Sequence, residues 1–490
     1  MKNSPPALDK ILYLACLLAL PVGACSDPTG PGSVRLTILS GDGQVGLQNT
    51  ALPEPVVLEA VDGHGGPLVG VSLVFSTPRG SGRVLEADSV TDASGQARFR
   101  WELGDAWENK VMASLLERPG VTVMAEARAR YLHAVPEEVD DGWETASLAS
   151  VGMQLEPLTR MMDSLRAGAH EEVHSIVIVK DDRLVFEAYF PGHDFGYNSQ
   201  DFLGAYVDFG RTTRHNTHSA TKSVTSALVG LAIDRGLVAG EDEPVFDFFP
   251  DYAQYSGGGK EAITVRDMLT MTSGLEWHEW DAAVGGGQNS IDAFNNGSDP
   301  IGYVLSRPLL HPPGSVFNYN GGTVNVLCQL VARAAGTTVD RFADEHLFGP
   351  LGVSNYNFPH HFTGLTVCHG DIYITPRDMA KFGSLYLNQG IWQGERILSP
   401  DWVQKSVERW VSVRAFNLGW AVDYGYLWWM NDYAAAGTVF STFKALGWGG
   451  QEIWVVPDSH LVVVFTGANY TVTPPCDELM VRYVFPSLME

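Results

Sequence analysis

The chain has 490 residues, enough for two or three folded units at roughly 150 residues each. Its 32 Lys and Arg against 57 Asp and Glu leave a formal charge of −25, which repels phosphate backbones and anionic headgroups and argues against a nucleic-acid binder or a polybasic membrane-surface protein. A hydrophobic content of 45% with 11% aromatic residues excludes wholesale disorder.

Lys2 and Lys10 flank a start that leads into the uncharged run Ile11 to Val22. That run is shorter than the ~20 residues a membrane span needs, and reads as the core of a secretory signal peptide over residues 1–24. Val22-Gly23-Ala24-Cys25 resembles the lipobox of bacterial lipoproteins, which implies Cys25 as the lipidated residue and an outer-membrane-anchored location in the cell envelope. Residues 25–33, rich in Pro, Gly and Ser, read as a tether. Of the five cysteines, Cys328, Cys368 and Cys476 remain, which permits one disulfide at most and rules out a disulfide-framework fold. There is no C-x-x-C pair to suggest zinc, so no metal is expected.

Residues 34–131 carry short strand-like runs between turn residues. Gln96 to Leu103 alternates polar and apolar, the period of a strand with one buried face, and makes Phe99 and Trp101 core residues. Val56 to Val61 and Leu68 to Phe75 flank the turn-rich Asp62-Gly63-His64-Gly65-Gly66-Pro67. The order of these pieces, with Gly70 to Phe75 followed by Thr91 to Ala97, resembles bacterial Ig-like modules and implies an all-β Ig-like sandwich acting as a spacer. The acidic stretch 132–142 reads as a solvated linker.

A second domain is expected over 143–490. Leu158, Met161, Met162 and Leu165 share a helix face; Ser175 to Val179 and Leu184 to Phe190 read as a hairpin; Glu452 to Val456 and Leu461 to Thr466 read as another strand pair. Strands at both ends of the domain with helical material between them predict an α/β unit whose single sheet is completed by its N- and C-terminal segments.

Ser219-Ala220-Thr221-Lys222 stands at the head of an apolar helical pattern, Val224, Ala227, Leu228, Leu231 and Ala232, that runs to Gly236. Three residues of helix put Ser219 and Lys222 on one face. A serine hydroxyl is a poor nucleophile until a neighbouring base removes its proton, and a lysine sheltered from water can be that base. A second S-x-x-K, Ser441 to Lys444, runs into Gly447, Gly449 and Gly450, which cannot continue a helix. The histidines His215, His218, His360, His361 and His369 form no H-E-x-x-H and read as structural, with His218 directed away from the nucleophile. No G-x-S-x-G, Walker or dinucleotide loop is present, so no cofactor is expected.

These residues, with Ile263 to Leu275, Pro313 to Asn320, Thr375 to Gly383 and Tyr424 to Trp429, resemble the serine β-lactamase and penicillin-binding family, specifically its class C-like branch with esterases and D-aminopeptidase-like hydrolases. The resemblance covers about residues 140–490. It implies a β-lactamase-like antiparallel sheet flanked by helices with an inserted helical region, and Ser219, Lys222 and Tyr319 as catalytic residues. The family's Tyr-x-Asn departs here to Tyr319-Asn320-Gly321, shifting the substrate-orienting amide to Asn320. Its Lys-Thr-Gly corresponds to Trp448-Gly449-Gly450, followed by Gln451, whose N–H would form the oxyanion pair with that of Ser219. Tryptophan offers no cation for a substrate carboxylate, which favours neutral esters or amides. The implied function is an esterase-like serine hydrolase acting on a small-molecule or peptide substrate; a class C-like β-lactamase, a D-amino-acid peptidase or an inactive adhesin are the alternatives.

Overall fold

The computed structural model describes residues 33–489 except positions 198 and 284, so the signal peptide, Cys25 and all of the tether except residue 33 lie outside the described residues. The chain divides into two units, Met1–Leu132 and His133–Glu490. Within the first, Gln96–Glu102 buries Ala97, Phe99 and Trp101 in strict alternation, as its two-residue period requires. It lies between Val56–Asp62 and Arg83–Ala87 in a four-stranded sheet, and a second four-stranded sheet runs Gln44–Leu47, Arg118–Arg130, Glu108–Leu115, Leu73–Ser76. One core joins both sheets, with Leu58 and Phe99 from one and Val111 and Ala125 from the other. The apolar run from Leu68 is strand only over Leu73–Ser76, because Gly70 at φ +71° makes a turn inside it.

The second unit is a mixed α/β fold around a nine-stranded sheet in the order Val411–Ser412, Asp423–Tyr424, Trp429–Ala435, Thr438–Gly447, Gln451–Val456, Leu461–Gly467, Val173–Lys180, Arg183–Tyr189, Glu144–Thr145. All neighbours are antiparallel except the last pair. Val173–Lys180 joins Leu461–Gly467 in the register Val177 to Val464, so the two ends of the unit meet mid-sheet. Both strands are buried on both faces, which is why they read as continuous apolar runs. The helix Pro376–Leu387 covers one face of these strands. The helix Thr221–Asp234 packs against Gly321–Ala335 and is buried almost all round. It also approaches the helix Pro400–Ser406 so closely that a Cβ on Gly230 would lie 2.3 Å from the Trp402 indole. No helix among the described residues is long and apolar enough to cross a membrane.

The acidic stretch 132–142 is mostly exposed, and two of its residues are anchored. Arg377, almost wholly buried, draws Asp141 (2.7 Å) and the Glu137 carbonyl (3.0 Å) onto the second unit, while its fork also grips Glu187. A guanidinium buried beneath the surface needs several acceptors, and this segment supplies two of them.

Candidate active site

The serine sits in a single 3-10 turn, His218–Ala220, that feeds the helix Thr221–Asp234. The residue before it, His218, has φ +43°, a left-handed conformation costly for a residue with a Cβ. It is held there on three sides: Asn216 Oδ1 accepts its N–H at 2.9 Å, Asp371 N–H donates to its carbonyl at 3.3 Å, and the Asp371 carboxylate lies 3.0 Å from its Nδ1. Burial alone would raise the Asp371 carboxyl, but the hydrogen bond and charge of His218 bring it down to about 2.

Ser219 is half-buried and Lys222 is 2% exposed. Lys222 Nζ donates to Ser219 Oγ at 2.9 Å and to the His369 carbonyl, and stands 4.8 Å from the Tyr319 ring centre. Ser219 and Lys222 both favour the ionised form of the Tyr319 phenol. Burial raises its pKa above the ordinary phenol range, and the Lys222 charge opposes that rise. Nucleophile, base and phenol thus meet at one point, as the resemblance implies. The second S-x-x-K does not: it lies on the strand Thr438–Gly447, where positions three apart face opposite ways. Ser441 Oγ bonds Asp432, whereas Lys444 is buried between Glu452 (3.2 Å) and Asp477 (2.7 Å).

Asn320 caps the helix Gly321–Ala335, its Oδ1 accepting from Thr323 N–H at 3.0 Å, and its buried Nδ2 has no hydrogen-bond partner among the described residues. Gly321 occupies the place of the family's asparagine for a local reason. Its N–H donates to Glu279 Oε2 at 2.7 Å, and a Cβ there would lie 3.0 Å from that oxygen. Trp448-Gly449-Gly450 is the loop between Thr438–Gly447 and Gln451–Val456, with both glycines at positive φ. Gln451 pairs in register with Gly447 across this hairpin, and its side chain bonds the Gly467 carbonyl. Gly447 lies close against the serine's turn: a Cβ there would come 2.1 Å from the Thr217 carbonyl. A cavity of about 710 Å³ opens beside the hairpin, lined by Trp420, Leu446, Trp448, Asn469, Tyr470 and Val472 among others.

Two aromatic walls flank the serine. Phe195, Phe202, Trp448 and Tyr470 cluster on one side with His218, whose ring is 4.7 Å from Phe195 and 5.8 Å from Trp448. Trp280 stacks on Tyr319 at 4.7 Å on the other, with Trp429 behind. The His218 ring packs against the first of these clusters, with its Nδ1 beside the Asp371 carboxylate. Trp280 and Glu279 carry no sequence signal, because their roles depend on chain segments meeting in space.

His369 is held neutral. Burial, then the Lys222 charge, lower its pKa to about 4, and Asn325 Nδ2 stands 2.8 Å from its Nδ1. A folded-state pKa below the ordinary value of about 6.5 means that the unfolded chain binds the proton more tightly. Stability is then lost as pH falls from about 6.5 through about 4, by up to about 3 kcal/mol. Urea unfolding at pH 7 and pH 4.5 should reveal this loss, and His369→Gln should flatten it; an unchanged pH slope in that variant would refute the assignment.

Residues 158–469 match the family model described as Beta-lactamase. The chain is 23% identical over 274 residues to the 6-aminohexanoate-dimer hydrolase of Paenarthrobacter ureafaciens, covering 52% of this chain and 66% of that protein. It is 25% identical over 256 residues to an uncharacterized protein of Mycobacterium tuberculosis, covering 43% and 62%. The chain thus spans less than two thirds of the length of these curated relatives. Among solved structures, a family VIII carboxylesterase superposes with a TM-score of 0.53 at 17% identity, over 69% of this chain and 99% of that one. The serine, lysine and tyrosine in one constellation, on this sheet and with this match, establish that the chain belongs to the beta-lactamase family.

Proposed function

We propose that the protein is an esterase-like serine hydrolase that cleaves a neutral ester or amide through an acyl-Ser219 intermediate. The observation that carries this reading is the contact of Lys222 Nζ with Ser219 Oγ at 2.9 Å, with the Tyr319 ring centre 4.8 Å from the same Nζ. Neutral Lys222 takes the serine proton as Oγ attacks the carbonyl carbon, and Tyr319 relays a proton to the departing alkoxide or amine. Water then attacks the acyl carbon and the proton path runs in reverse. The N–H of Ser219 and a backbone N–H of the hairpin Gly447 to Gln451 are the oxyanion donors. Buried Asn320 Nδ2 is a candidate to orient the substrate. The relatives named as a carboxylesterase and an amide-cleaving dimer hydrolase support the reaction class.

The aromatic walls and Trp448, in place of a cation, favour a neutral, apolar acyl or leaving group over a penicillin or a D-amino-acid peptide. A fluorophosphonate should label Ser219 where a penicillin does not; a penicillin adduct in preference would select the β-lactamase reading, and no adduct at all the inactive adhesin. Trp448→Lys should raise the ratio of kcat/KM for nitrocefin over a short ester by about tenfold, the effect of one charge-assisted contact of about 1.4 kcal/mol. A parent that already prefers nitrocefin would overturn the esterase assignment.

The same proposal includes an N-terminal signal and lipid anchor at Cys25 in the cell envelope, and an Ig-like spacer for the two-sheet unit. The lipobox-like residues and the shared core of the two sheets support it. Loss of metabolic palmitate labelling in Cys25→Ala tests the anchor.

A further inference from the structure

Besides Ser219 and the Tyr319 ring, Lys222 meets one further polar partner among the described residues, the main-chain carbonyl of His369. That carbonyl belongs to a buried segment, Thr366 to Ile372, that forms neither helix nor ladder strand. Irregular backbone holds a carbonyl in place only if something outside the segment fixes it. Here a disulfide joins Cys368 to Cys328 of the helix Gly321–Ala335. One helical turn earlier, Asn325 accepts the Cys368 N–H at 2.9 Å and places its Nδ2 against His369 Nδ1 at 2.8 Å and the Gly321 carbonyl at 2.9 Å. From the nucleophile's helix, one residue triplet past Lys222, Thr225 Oγ1 donates to the Cys368 carbonyl at 3.0 Å. The helix that carries Cys328 and Asn325 is the one capped directly after Tyr319. A single covalent bond therefore links the segment bearing the lysine's acceptor to the helix that follows the tyrosine.

We propose that the Cys328–Cys368 disulfide is a positioning device for catalysis: it fixes the His369 carbonyl as the acceptor of Lys222, and so holds the amine in line with Ser219. The inference rests on the acyl-Ser219 reading for its catalytic readout. Without the bond, Asn325 and Thr225 still tether the segment, so the site stays formed and binds substrate. What weakens is the alignment of Lys222, and misplacement of a base lowers the chemical rate more than it lowers binding.

The test is the double variant Cys328→Ala/Cys368→Ala beside the parent, with acylation followed by the burst of a nitrophenyl butyrate and by fluorophosphonate labelling. Hydrogen exchange of peptides spanning 366–372 and 461–467 is measured on the same samples. The expected result is an acylation rate about tenfold lower, KM within twofold of the parent, and faster exchange confined to 366–372. Acylation at the parent rate, or exchange that rises equally in 461–467, would overturn the proposal, since the bond would then be a general staple. If the double variant does not fold, folded parent reduced with a phosphine and alkylated at both cysteines takes its place, read by the same criteria. Absence of a Ser219 adduct in the oxidised parent would sink the acyl-serine reading instead, while the exchange measurement still decides whether the disulfide holds the segment.

Discussion

Ser219→Ala is expected to lower the turnover of a nitrophenyl ester by at least about 10⁴-fold, to a residue of activity attributable to binding and oxyanion contacts alone. The argument is one of placement. Ser219 Oγ is the only serine or threonine hydroxyl among the described residues at hydrogen-bond distance from Lys222 Nζ, and the other S-x-x-K serine is exposed on a strand, bonded to Asp432. A lost hydroxyl has no understudy in this geometry. Activity within tenfold of the parent, measured on protein with unchanged urea midpoint, would move the nucleophile elsewhere.

Lys222→Arg should be as slow as Lys222→Ala, both at least about 10³-fold below the parent. The contrast with Lys444 shows why. Lys444 lies between Glu452 and Asp477; burial works against its charge, but the two carboxylates prevail and hold the ammonium well above the lysine range. Lys222 instead touches a hydroxyl, a carbonyl and a phenol ring, all of them neutral. Guanidinium keeps its proton at any working pH and is broader than an ammonium, so it can neither accept the serine proton nor fit between Tyr319 and the His369 carbonyl. Recovery of most of the rate by arginine would make Lys222 an electrostatic anchor.

Much of the catalytic unit was legible because its pattern is local. The helix face from Leu158 to Leu165 and the apolar runs around Asp181 and Pro457 appear as Leu155–Arg166, Val173–Lys180 with Arg183–Tyr189, and Gln451–Val456 with Leu461–Gly467. The meeting of Ser219 and Lys222 follows from spacing on a helix, and the failure of Ser441 and Lys444 to meet follows from spacing on a strand. What the sequence concealed is long-range. The partner of Cys328 among three cysteines, the clamp of Asp371 on His218, and the acceptor role of the His369 main chain each depend on segments 40 to 150 residues apart being brought together. Arg377 is the same kind of case: composition marks 132–142 as solvated, and only the fold supplies the buried cation that captures it.

The pairing of Val173–Lys180 with Leu461–Gly467 also governs how the chain must acquire its structure. A ribosome adding roughly 5–20 residues per second needs on the order of tens of seconds to travel from one strand to the other. During that interval the early hairpin offers a valine- and isoleucine-rich edge with no partner, the kind of edge that recruits strands from other chains. Central pairings this far apart in sequence also slow the search for the native register. The catalytic unit is thus a late folder, and its nucleophile helix, which packs under that sheet, acquires its finished environment only after the last strands have arrived.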